Sequence, residues 1–209
     1  MTDSADSTGP SPRRIEALTD GIYAVAMTLL VIELKLPEHA GIHTAADLPH
    51  ALVDLSPKFG SWIISFLVLA LFWIAHHRVF NHVRQVTGRL IALNIFQLAF
   101  VSFMPFCSAL IGEYRGALLA QIVYSTNMCL LAIFSLLLAR HVYRHPDLSS
   151  TPMTRGAYRG AQVRNFTLMA ISLIAVGVGF FTVPALGNLA YALMAIVMPL
   201  SRRLEKRLA

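Results

Sequence analysis

Arg14, Glu16, Asp20, Glu33 and Lys35 lie on, or at the ends of, one apolar stretch running from Ile15 to Leu36. A charge held at membrane depth costs about 3 kcal/mol or more, so such groups face protein or water and mark ion paths or proton relays. Two further polar residues lie at matching depth. His77 closes the run Trp73-Ile74-Ala75-His76-His77-Arg78, and Asn94 follows Arg89 by five residues. At helical rise, Asp20 lies about 9 Å in from the basic boundary at Arg14. A carboxylate, an imidazole and a carboxamide there can share a hydrogen-bond network. That network has two readings. It is scaffold that ties the first apolar segment to the next two, or Asp20 and His77 form a relay in a proton-coupled secondary transporter. In either, titration of His77 would make the response pH-dependent.

Such residues need a membrane-spanning framework. The chain has 209 residues, 56% apolar and 13% charged, against about 25% charged in a soluble domain. Apolar runs near the roughly 20 residues that span a bilayer recur at 15–36, 59–77, 90–111, 116–139, 165–183 and 184–200. The expected fold is an all-α membrane protein with six transmembrane helices. The last two are joined at a Thr182-Val183-Pro184 corner, and Pro199 interrupts the sixth. Residues 1–13 read as a disordered tail rich in Ser, Thr, Asp and Pro. Residues 14–201 form the transmembrane domain, and 202–209 a short basic tail. Glu33 and Lys35 stand where a small-residue cleavage site would be, so the first segment is read as a retained helix.

The charges follow the same layout. With both termini in the cytoplasm, 14 of the 17 Lys and Arg residues fall on the inner side and only Lys35, Lys58 and Arg115 on the outer. This is the positive-inside pattern. Topology and anionic lipid headgroups account for the net charge of +6, and no nucleic-acid partner is needed. The expected localisation is a multi-pass inner (plasma) membrane protein.

Along the first segment, Arg14, Leu18, Gly21, Val25, Thr28 or Leu29, and Ile32 recur three and four apart and share one helical stripe. Asp20 shares a different face with Ala24, Met27 and Val31. From Val25 outward the stripe is apolar with one hydroxyl. Periodicity leaves two roles open for it, a pore wall or a helix-packing face.

The motif Arg14-x-x-x-Leu18-Thr19-Asp20, followed by Gly21, resembles the Arg-x-x-x-Phe-Ser-Asp signature of the transmembrane protein 175 family, potassium-permeable channels of bacteria and of animal lysosomes. Thr28-Leu29-Leu30, Glu33-Leu34-Lys35-Leu36-Pro37, the Phe72-Trp73 and His76-His77-Arg78 cluster, Asn94 and Met104-Pro105-Phe106 are also similar to its first three helices. Leu18 and Thr19 depart from the family's Phe and Ser; hydroxyl and bulk are kept, and an aromatic ring is lost. The resemblance implies six spans per subunit, a homotetramer, and a central pore lined by the first helix, permeable to potassium and weakly selective over sodium. It places the constriction at Val25, Thr28, Leu29 and Ile32, with Glu33 in the outer vestibule. A Thr-Val-Gly-Tyr-Gly carbonyl filter is absent from the sequence.

Neither enzyme nor cofactor chemistry is expected. His-Glu-x-x-His, P-loop and Gly-x-Ser-x-Gly patterns are missing, and Cys107 and Cys129 are too far apart for a Cys-x-x-Cys pair. His39, His43 and His50 lie on a Pro-containing outer loop at 37–58 with no clear third ligand, so they read as solvent-exposed rather than as a metal site. The implied partners are potassium ions, membrane lipid and further copies of the chain.

Overall fold

A computed structural model describes residues 11–35, 45–114, 116–181 and Tyr191. Helix α1 spans Pro12–Ile32. The fixed φ of Pro12 suits a first helical position, where its missing N–H would have no intrahelical partner. A short helix α2 (Leu48–Asp54) leads into α3 (Ser56–Phe80). Helices α4 (Gly88–Glu113), α5 (Leu118–Arg144) and α6 (Arg155–Phe181) complete the described bundle. Among the described residues, five helices are long and apolar enough to cross a membrane: α1, α3, α4, α5 and α6. The expected sixth span at 184–200 lies outside the described residues apart from Tyr191, as do the 202–209 tail and all but the end of the 1–13 tail.

Several helices overrun the expected spans, whereas α1 stops at Ile32, short of the expected 36. The span expected at 165–183 begins at Arg155, and the one expected to end at 139 runs on to Arg144. Apolarity stops at the first charge, whereas Arg and His stems continue along the helix and carry their charged ends to water. The connector between α5 and α6 is therefore short, residues 145–154. Part of the 37–58 segment, expected as an outer loop, forms α2, with Pro49 in its first turn.

Helix α4 touches α1, α3 and α5; α1 packs on α3 and α4, and α6 on α5. Water gives no hydrophobic drive between helices inside lipid, so close packing and interhelical hydrogen bonds hold them. The main core gathers Tyr23, Leu69, Phe72, Met104, Tyr124, Met128 and Leu168. A second cluster at the Arg-rich end joins Ile15, Phe80, Leu90, Leu138 and Val142. There the α3–α4 turn is tied to the α5–α6 connector: Arg84 N donates to the Leu148 carbonyl at 2.7 Å, and Ser150 N to the His82 carbonyl at 2.9 Å. Inside α4, Pro105 removes one backbone N–H, and Asn127 of α5 donates to the neighbouring Phe100 carbonyl at 3.2 Å.

Candidate functional site

Helix α1 has two unlike faces. Ile15, Thr19, Tyr23, Ala26 and Leu30 recur four, four, three and four apart and are all buried. The opposite side remains open in the subunit: Leu18 is 52% exposed, Val25 56%, Leu29 42% and Ile32 54%. Arg14, Gly21 and Thr28 are exposed beside them. None of these side chains belongs to the subunit's own core. Thr28 Oγ1 donates to the Val25 carbonyl at 2.8 Å. Its proton is thus spent within the helix, and its oxygen lone pairs remain free to accept from, or coordinate, what passes outside. A shallow groove of about 390 Å³, lined by Leu18, Gly21, Val25 and Leu29 with Ser102 of α4, runs beside this face.

The buried face is held by polar anchors. Asn94 Nδ2 donates to Thr19 Oγ1 at 3.1 Å, and His76 Nε2 donates to Asn94 Oδ1 at 2.7 Å. One turn further along, Gln97 Nε2 donates to the Tyr23 hydroxyl at 3.1 Å. Asp20 sits on the flank of α1 and accepts from Trp73 Nε1 at 2.8 Å. The Asp20–His77–Asn94 triad expected from the sequence is therefore partnered differently. Asn94 bonds His76 and Thr19, Asp20 bonds Trp73, and exposed His77 stacks on the Trp73 ring at 6.2 Å. The reason is angular: neighbouring residues diverge by roughly 100° around a helix. His76 turns inward with Phe72 and Phe80, stacking on Phe80 at 4.2 Å, while His77 turns out.

Four participants were thus missed by sequence reasoning: His76, Trp73, Tyr23 and Gln97. The i, i+4 row Phe72-His76-Phe80 was the available signal, since a histidine between two buried aromatic rings faces the core. The motif substitutions have clear consequences. Thr19 is fully buried and keeps a hydroxyl on Asn94, whereas Leu18 lies on the open face.

At the far end of α1, exposed Glu33 borders a cavity of about 470 Å³ that is also lined by Lys35, Trp62 and the Lys58–Glu113 ion pair. Among the described residues, no group of three His, Cys, Asp or Glu side chains converges as a metal site. His50 is exposed, and His39 and His43 lie outside the described residues.

A bundle of long apolar helices with one amphiphilic, outward-facing member, pinned by buried polar contacts, defines a polytopic helical membrane protein. Residues 14–105 match the family model described as the endosomal/lysosomal potassium channel TMEM175. A potassium channel of Streptomyces collinus is 33% identical over 188 residues, covering 88% of this chain and 89% of that one. The human endosomal/lysosomal proton channel TMEM175 is 34% identical over 135 residues, 60% of this chain and 27% of that protein. In three dimensions the chain matches the crystal structure of a lysosomal potassium-selective channel TMEM175 homologue from Chamaesiphon minutus. The TM-score is 0.75 with 28% identity, covering 91% of this chain and 97% of that one. The chain belongs to the TMEM175 family.

Proposed function

We propose that the protein is the subunit of a passive, potassium-permeable cation channel whose pore is formed by the exposed face of α1 in a homotetramer. One observation carries this reading: α1 buries its polar anchors inside the subunit and leaves Val25, Thr28, Leu29 and Ile32 uncovered, the face its own core does not use. The names of the Streptomyces and Chamaesiphon relatives support the choice of ion.

In this reading, rings of Val25, Leu29 and Ile32 side chains form a narrow, poorly wetted neck. A cation crosses it by shedding part of its hydration shell, which potassium does at lower cost than sodium. Hydrophobic constrictions of this kind gate by dewetting. The outward lone pairs of Thr28 return part of the lost coordination, and Glu33 concentrates cations at the mouth. Of the signature residues Arg14, Leu18, Thr19 and Asp20, Thr19 and Asp20 set the rotation of α1 through Asn94 and Trp73, while Arg14 and Leu18 stand on the exposed face. The Arg-rich end faces the cytoplasm of a bacterial inner membrane, with both termini on that side.

Recordings from the purified protein in planar bilayers test the function. Ohmic single-channel steps with a reversal potential following the potassium gradient are expected. Gradient-coupled uptake without steps would instead indicate the Asp20-based transporter.

A further inference from the structure

We propose that the cleft between the Arg-rich ends of α4 and α5 is a headgroup site for an anionic phospholipid, with the acyl chains lying along the aromatic seam above it. The cleft, of about 280 Å³, is lined by Arg89, Arg140, Arg144, His141, His145 and the side chains of Leu93 and Leu137. Arg140 and Arg144 are one turn apart and share a face of α5; Arg89 meets them from the first turn of α4. The two walls are pinned together at the base. Thr87 caps α4 by accepting from Leu90 N at 3.2 Å, and the same hydroxyl lies 3.2 Å from His141 Nε2.

Charge complementarity names the occupant. Among the described residues, no carboxylate is ion-paired with Arg89, Arg140 or Arg144. Asp147, close enough to act on His141, is the nearby acidic group. Three exposed guanidinium groups converge on one small concavity, and guanidinium matches phosphate oxygens in a two-pronged geometry.

The apolar half decides between a lipid and a free anion. Leu93 and Leu137 stand on the membrane side of the arginines. Three residues further into each helix, Phe96 and Phe134 stack at 5.2 Å, and Phe100 continues the seam at 5.6 Å. Phe96 is 54% exposed. A cationic cup that opens directly onto an exposed hydrocarbon-like track fits a molecule with phosphate at one end and acyl chain at the other. A soluble phosphate would use only the cup.

Native mass spectrometry of the full chain, titrated with phosphatidylglycerol and separately with phosphatidylcholine, tests the assignment. The protein is expected to retain phosphatidylglycerol preferentially. R140Q/R144Q is expected to bind it about 30-fold more weakly, and R89Q, on the opposite wall, about 5-fold more weakly, at near wild-type Tm. R155Q/R159Q, which removes two exposed bases elsewhere at the same end, is expected to bind as wild type; if R140Q/R144Q does not fold, the R89Q comparison decides. Equal retention of the two lipids, an equal loss in the R155Q/R159Q control, or displacement of the lipid by millimolar inorganic phosphate overturns the proposal.

Discussion

Asn94 and Thr19 face each other across the α4–α1 contact, the carboxamide donating to the hydroxyl at 3.1 Å in a fully enclosed setting. Because Asn94 also accepts from His76, one side chain locks three helices, α1, α3 and α4, into one rotation. That rotation decides which residues of α1 remain uncovered.

Replacing Asn94 with Leu removes both bonds at once and leaves the His76 ring and the Thr19 hydroxyl unsatisfied. A buried group stripped of its partner costs about 1–3 kcal/mol. The expected outcome is a lower Tm in detergent, read by fluorescence-detected size exclusion during a thermal ramp. Thr19→Ser, which keeps the hydroxyl, is expected to stay near wild type, and Thr19→Val to lose the Asn94–Thr19 bond altogether.

The Asp20–Trp73 contact is a charge-assisted bond between α1 and α3. Asp20→Ala and Trp73→Phe each remove it, so the double variant is expected to cost less than the sum of the singles. Interhelical bonds in membranes couple by about 0.6 kcal/mol on average, and a double-mutant cycle on thermal stability measures the coupling. Strict additivity would mean that the contact contributes nothing.

Leu18 stands where the family signature has Phe, and it lies on the open face. Leu18→Phe is therefore expected to change stability by less than about 0.5 kcal/mol while altering single-channel conductance. A large drop in Tm without a change in current would place this residue in the packing instead.

Lys58 and Glu113 form an ion pair at the rim of the cavity beside Glu33, with side chains 25% and 56% exposed. Solvent screening limits such pairs to about 0–1 kcal/mol. Lys58→Met is expected to leave Tm nearly unchanged, and raising ionic strength to have as little effect on the wild type.

Much of this was legible from residue spacing, and the failures share a cause. The α1 stripe is readable because its spacing repeats over five turns and the two faces differ in polarity. Choosing between His76 and His77 needed knowledge of what surrounds α3 on both sides. Adjacent imidazoles are chemically alike, and only Phe72 and Phe80 mark which one points inward. Trp73 appeared only in the run that ends at His77 and in the Phe72-Trp73 cluster, and nothing in the sequence says that its indole N–H reaches a carboxylate 53 positions earlier. The ends of α5 and α6 were misjudged because hydropathy registers where lipid stops and hydrogen bonding continues past it.

The central claim is that the uncovered face of α1 meets the ions. Its most direct test is the single-channel conductance and potassium-to-sodium permeability ratio of Val25→Asn and Ile32→Asn, with Leu173→Asn on the exposed side of α6 as control. A wetter neck is expected to raise conductance and weaken the preference for potassium in the first two variants and to leave the control unchanged. Currents identical to wild type in both α1 variants would contradict the account and put the pore elsewhere.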